Sequence, residues 1–205
     1  TWAPLHTEDD SSLVHLGAGY RYSNAKEGFR YFTEPEFNQS PVFVDTSFGQ
    51  DSVLLPADDL QTWNVELSWR RGPIWLASEY TKTYGDNPAL GDTEFDGYFI
   101  GLSWILTGEM RAYNKKSGVF GPVPVSRSVY QRGKGAWELT ARWSNGDLTA
   151  GVVQGGEMDI ASLGLNWCLT PYFGLSLYYR YIWTTRNGVE DSSSGLNSRL
   201  VLLLE

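Results

Sequence analysis

The sequence predicts an all-β protein, a transmembrane antiparallel β-barrel in which residues 1–205 form a single domain. Three observations lead there. Apolar and polar residues alternate with period two from end to end, arginines fall only in the polar phase, and 22 glycines accompany an aromatic content of 15%. Alternation sends successive side chains to opposite faces of an extended chain. Glycine with aromatics favours strands and tight turns over helices. No stretch approaches the ~18 apolar residues of a membrane helix, and the mean hydropathy is −0.31. Neither fact weighs against a barrel, because half of each spanning strand is polar.

The elements follow in order. Over 13 to 23, Val14, Leu16, Ala18, Tyr20 and Tyr22 alternate with His15, Gly17, Gly19 and Arg21; a short turn over 24 to 28 leads to a less regular strand at 29 to 37. Trp63, Val65, Leu67 and Trp69 alternate with Asn64, Glu66, Ser68 and Arg70. A tight turn at Arg71, Gly72 and Pro73 then starts a strand with Ile74, Leu76, Ser78 and Tyr80 on one face and Trp75, Ala77 and Glu79 on the other. Further strands are expected at 97 to 106, 137 to 144, 162 to 167, 173 to 183 and 196 to 204, about nine in all. Short turns follow the first, third and seventh strands. Longer polar stretches, "TYGDNPALGDTEFD", "NGDLTAGVVQGGEMD" and "RNGVEDSSSG", follow the fourth, sixth and eighth as expected loops. Short turns on one rim and long loops on the other describe an outer-membrane barrel. The long connection 107–136 is the exception on the short-turn rim. An odd strand count cannot close a bacterial barrel, so the chain is expected to be the C-terminal part of a longer one.

Alternation alone allows two packings: apolar face inward, as in a soluble sheet, or outward toward lipid. Arg21, Arg70, Arg142, Arg180 and Arg199 share the phase of the Gly, Ser, Thr and Asn positions. A solvent-facing sheet would carry many Lys and Glu there and few glycines. The apolar phase holds Trp63, Trp69, Trp104, Trp137, Trp143, Trp167 and Trp183, which an interfacial girdle would explain. The alternative is a soluble β-rich carbohydrate-binding module that stacks sugars on surface aromatics.

Composition removes other classes. One cysteine, Cys168, excludes an internal disulfide, and two histidines leave little for a metal site. A net charge of −8 argues against nucleic acid as a partner. No nucleophile motif, metal-ligand spacing or phosphate loop points to an enzyme or to a cofactor. Acids in "DDL" and "ALGDTEFD" could meet calcium in outer loops, without a spacing that fixes it. The basic charge concentrates in 107–136, where Arg111, Lys115, Lys116, Arg127, Arg132 and Lys134 face Glu109 alone. The chain begins at Thr1 with no signal peptide ahead of it, which fits either processing or a fragment.

Four stretches, "FDGYFIGLSWILTGEMRAYNKKSGVFGPVPV", "GAWELTARWSNGDL", "GGEMDIASLGLNWCLTPYFGLSLYYRYIW" and "LNSRLVLLLE", carry a family resemblance. They resemble, in order and spacing, the C-terminal half of the phosphate-selective porin O and P family, with its LTGE-x-R-x-Y, WEL-x-ARWS and GLNWY segments. The departures are Cys168, where the family has an aromatic, and a chain end at Glu205. The resemblance implies a sixteen-stranded porin barrel in the bacterial outer membrane, assembled as a homotrimer. Its partners would be the lipid bilayer, lipopolysaccharide and small anions such as phosphate or polyphosphate. It also implies a constriction built largely from upstream strands and a folded loop outside this chain.

A pore selects anions when basic side chains replace the water that an ion gives up in a narrow passage. The lumen candidates are therefore Arg21, Arg70, Arg142, Arg180 and Arg199, whose planar forks suit phosphate oxygens. The bland reading pairs them with Glu66, Glu79 and Glu138 across neighbouring strands. For Arg111, Lys115, Lys116, Arg127, Arg132 and Lys134 the choice lies between a basic outlet and a solvated loop.

Overall fold

The computed structural model describes residues 1–37, 39–47, 54–88 and 91–202. The strands are β1 (Trp2–His6), β2 (Ser12–Asn24), β3 (Phe32–Thr33), β4 (Val44–Asp45), β5 (Asp59–Arg71), β6 (Ile74–Asp86), β7 (Thr93–Ile105), β8 (Tyr113–Asn114), β9 (Val119–Phe120), β10 (Ala136–Ala150), β11 (Val153–Cys168), β12 (Phe173–Arg186) and β13 (Val189–Leu202). Nine of them form one antiparallel sheet in the order β1-β2-β5-β6-β7-β10-β11-β12-β13. The sheet is open, with β1 and β13 at its edges. Sequential antiparallel neighbours arise because each strand returns beside its predecessor, as in an up-and-down barrel wall.

The apolar phase faces out. Leu177 and Tyr179 are each 46% exposed, whereas Arg180 between Tyr179 and Tyr181 is 9% exposed. A soluble sheet would reverse those values. The outward aromatics gather toward the two ends of the apolar zone. Trp137 and Trp167 stack at 4.9 Å near one rim, while Trp143 lies 5.3 Å from Trp183, and Tyr20 4.4 Å from Trp63, toward the other. Such belts suit the two membrane interfaces, where amphipathic rings have one apolar side and one wet edge.

The strands run longer than hydrophobic alternation foretells. "NGDLTAGVVQGGEMD" and "RNGVEDSSSG" are not loops: β10 continues to Ala150 and β11 resumes at Val153, while β12 and β13 join through Asn187 and Gly188. Both turn residues have positive φ, 52° and 74°, the conformation of a two-residue hairpin turn whose twist matches the flanking strands. In these continuations the outward apolar phase is lost: residues 190–194 of β13 are polar on both faces, and on β11 Glu157 and Asp159 hold the outer phase while Met158 and Ile160 are buried on the inner one. The rim carrying these turns is termed the upper rim. The lower rim carries Gly72, the connection 107–136 and the turn between Cys168 and Phe173. Part of "ALGDTEFD", and the expected strand end at Leu204 and Glu205, lie outside the described residues.

Two further expectations are corrected. No barrel strand spans 29 to 37, and the turn after the first strand is not short. Instead, the described residues of 25–58 leave β2 at the upper rim and fold onto the inner face before β5 begins, held by the β3–β4 pair and a Phe29–Leu55 bridge. Phe29, Leu55, Leu60 and Phe95 form one buried cluster; Val44, Met158, Ile160 and Ile182 form another. Phe29, Tyr31 and Phe37 therefore pack on the inner wall instead of facing lipid. The ninth strand is supplied by β1, whose Pro4 hides it from pattern reading and is tolerated at a sheet edge. This chain thus carries a folded loop of its own on the inner face.

Arg30 and Asp45 latch that loop. Arg30 Nε and Nη2 donate to the two carboxylate oxygens of Asp45 at 2.9 and 2.5 Å, and the Ser47 amide donates at 2.9 Å. Arg186 on β12 donates to the Asp45 carbonyl at 3.1 Å. The Arg30 fork, more than any other group, draws the Asp45 carboxyl down from 3.8 to about 2. A depressed carboxyl contributes stability that is complete above its ordinary range and disappears as pH falls through the folded value. Limited proteolysis of 25–58 in vesicles should thus stay slow down to about pH 4 and accelerate toward about pH 2. Asp45→Asn should be faster throughout and lose this dependence.

Candidate functional site

The inner face of β7 and β10 to β13 sets side chains in transverse rows, because antiparallel register aligns residues of like phase. One row runs Gly101, Arg142, Ser162, Arg180 and Gly195. The next toward the lower rim is Ser103, Thr140, Gly164, Tyr178 and Asn197, and the third is Ile105, Glu138, Asn166, Ser176 and Arg199. Neighbouring strands lie ~4.8 Å apart, so Arg142 and Arg180, two strands apart, stand ~10 Å from each other with only a serine between them. Small residues beside each arginine leave room for its fork. Gly195 has a second reason to lack a side chain, since a Cβ there would lie 2.3 Å from the Phe37 ring.

The folded loop brings an acid to that row. Glu36 Oε1 lies 3.1 Å from Arg142 Nε and accepts from Ser144 Oγ at 2.9 Å; Glu36 Oε2 lies 3.8 Å from Arg180 Nε. Arg142 sits 3.9 Å over the Phe99 ring, while Arg180 contacts Phe37 at 4.9 Å and Tyr178 at 5.0 Å. These aromatic faces hold the cations without neutralising them. Arg180 also donates to Asn197. Nothing in "TEPEF" marks Glu36 in advance, because its partners are more than 100 residues away in sequence.

A second acid is built into the wall. Glu138 is 2% exposed and accepts from Arg111 Nη2 at 2.5 Å, from Asn166 Nδ2 at 2.8 Å and from Ser103 Oγ. Arg111 also donates to the Gly121 carbonyl at 2.9 Å and lies 5.0 Å from the Trp75 ring. Glu138 is thus the only one of the three expected strand acids to take an arginine, and the arginine comes from the connection. Glu66 meets His15 at 3.0 Å and Glu79 meets Asn64. Arg111, Arg142, Arg180 and Arg199, with Glu36 and Glu138, line one cavity of about 780 Å³ on the inner face.

The remaining candidates separate. Arg70 is fully buried at the lower rim, donating to Asp10 Oδ1 at 2.6 Å, to the Asp10 carbonyl at 2.5 Å and to the Arg111 carbonyl. Its two terminal amino groups fasten the β1–β2 turn and the connection to β5. Arg21 is exposed on the inner face near Tyr31 and Thr62. Among the described residues neither Arg21 nor Arg199 makes an ion pair. Lys115, Lys116, Arg127, Arg132 and Lys134 are exposed at the lower rim. The β8–β9 hairpin rests on the wall through Tyr113 and Phe120, and Tyr113 Oη lies 2.7 Å from His15 Nδ1. Among the described residues, no group of three or more metal-ligating side chains gathers, "DDL" included.

A wall with lipid-facing aromatics outside and a row of cations inside has one natural setting, and the sequence comparison decides which family built it. The family described as phosphate-selective porin O and P matches residues 1–204. This chain belongs to that family. Porin O of Pseudomonas aeruginosa is 26% identical over 228 residues, covering 97% of this chain and 50% of that protein. An uncharacterised protein of Caulobacter vibrioides is 28% identical over 177 residues, covering 81% of this chain and 33% of that protein. The chain thus spans half and a third of the lengths of these relatives. Its fold is that of a porin wall, its place is the bacterial outer membrane, and its family points to a channel protein in preference to an enzyme.

Proposed function

We propose that the chain supplies part of a water-filled channel through which small anions, phosphate among them, diffuse passively across the outer membrane. The single observation that carries this is the transverse row in which Arg142 and Arg180 face inward from a wall whose outer face is apolar. Anions entering a confined passage lose hydration, and guanidinium forks replace it with paired hydrogen bonds. Arg199, two rows toward the lower rim, extends the cationic track, and Arg21 adds a separate charge on β2. The family description supports phosphate as the anion, polyphosphate being its longer form. In this reading the nine strands belong to a sixteen-stranded barrel within a homotrimer, surrounded by bilayer lipid and lipopolysaccharide. The outward leucines and tryptophans favour this over a soluble sugar-binding module, which would hold only a few aromatics on a wetted face.

The exposed Lys115, Lys116, Arg127, Arg132 and Lys134 form a diffuse basic outlet that draws anions to the lower mouth; Arg111 serves instead as the pin into Glu138. Planar-bilayer recordings of the assembled channel test both parts. Replacing Arg142, Arg180 and Arg199 by Gln should weaken phosphate block of the chloride current about tenfold or more, one charge-assisted contact being worth about 1.5–3 kcal/mol. Neutralising the five outlet residues should lower conductance at low salt and leave it unchanged at high salt, where the field is screened. An anion preference untouched by the three arginine replacements would overturn the reading.

A further inference from the structure

We infer that Glu36 is a tethered carboxylate occupying the anion position between Arg142 and Arg180, which an entering anion must displace. The inference rests on the channel reading above and identifies a residue that tunes it. The two acids of the cavity differ in how they are held. Glu138 is buried in the sheet with three donors on it, so it belongs to the wall. Glu36 sits on the folded loop, a quarter of its side chain remains accessible, and among the described residues its carboxylate takes one hydrogen bond, from Ser144.

The guanidinium contacts of Glu36 reproduce what an oxyanion would make. One oxygen lies on Arg142 at 3.1 Å and the other lies toward Arg180 at 3.8 Å, beyond hydrogen-bond distance. Arg180 Nε therefore keeps a donor with no hydrogen bond, and Ser162 Oγ, opposite Arg180 across the β11–β12 pair, is likewise buried and unbonded. Among the described residues, these two unsatisfied polar groups on facing positions of one cavity, with a carboxylate that reaches only part of the way, describe an oxyanion seat that the loop fills incompletely. The backbone points the same way. Glu36 adopts φ 57°, an uncommon conformation for a residue with a Cβ, directly after the buried Pro35 and directly before Phe37, whose ring seats over Gly195. Strain of this kind persists where neighbouring packing imposes it, and here that packing aims one carboxylate at the arginine row.

A tethered competitor lowers the affinity of the site for every free anion. It keeps the passage from trapping its solute, since conduction needs entry favourable enough to bind and weak enough to leave. The test is phosphate block of chloride current through the assembled channel in planar bilayers, for the wild type and Glu36→Gln. The amide keeps the size and removes the charge. Glu36→Gln should lower the half-blocking phosphate concentration about tenfold and raise chloride conductance at low salt, since a charged group no longer competes. Unchanged or weaker block, in a channel that still prefers anions, overturns the inference alone. A wild-type channel indifferent to anions overturns the channel reading and this inference with it. Should Glu36→Gln fail to assemble, Ser144→Ala removes only the hydroxyl on Oε1 and should shift block in the same direction by less; no shift, or an opposite one, overturns the inference.

Discussion

Leu177→Arg is expected to destabilise the folded protein in phospholipid vesicles by about 2–4 kcal/mol, the cost of an arginine at the midplane of a barrel's lipid face. Leu177 stands at the centre of β12's outer face, between Leu175 and Tyr179, opposite Leu165 on β11 and Ser198 on β13. It is 46% exposed on the outer face, so the dominant cost is that of charge in hydrocarbon. Ser176→Arg, one residue away on the inner face, should cost under about 1 kcal/mol, because its guanidinium reaches water. Denaturant unfolding of both variants in vesicles measures the contrast. Equal costs on the two faces would mean that the outer face does not meet lipid.

Glu138→Ala is expected to cost about 3 kcal/mol or more, the penalty for breaking a buried ion pair from one side. It leaves Arg111 with only the Gly121 carbonyl and the Trp75 ring, and leaves Ser103 and Asn166 each short of an acceptor. The Arg111 side chain is one of the links by which the connection 107–136 reaches the sheet, beside Tyr113 and Phe120, so its loss should also loosen the β8–β9 hairpin. Trypsin should then cut at Lys115 and Lys116 faster than in the wild type. Glu138→Gln should fall between, because the amide oxygen still accepts. Adding Arg111→Ala to Glu138→Ala should recover part of the loss, since the uncompensated buried charge goes with it. If the single and double variants were equally unstable, the pair would contribute no coupling.

Residue phase was legible where the strands cross lipid, and only there. From Leu175 to Trp183 every second residue is apolar and the fold obeys the pattern, because lipid on one side and water on the other impose opposite preferences on alternate positions. Past the membrane that contrast ends. The polar continuations of β10 to β13 therefore read as loops, although Asn187 and Gly188 carry an ordinary hairpin signal. Residues 29–37 misled for a related reason. Phe29 and Tyr31 pack against Phe95 and Phe37 against the Ile182 cluster on the inner wall, and an aromatic under protein looks, in one dimension, like an aromatic under lipid. Arg142 and Arg180 were identified by phase as inward, but their shared row depends on the register of three strands. Pairing with Glu36 was beyond reach, since a lone acid beside a proline has no periodicity.

The sequence by itself determined that this chain builds an antiparallel wall with cations on one face and a lipid-compatible surface on the other, because one-residue alternation and solvent preference are local properties. The tertiary structure alone decided which cations remain available. Arg70 and Arg111 are bound into the wall and Arg142 and Arg180 are shared with Glu36, because ion pairs form across distances in space that the order of residues along the chain does not encode.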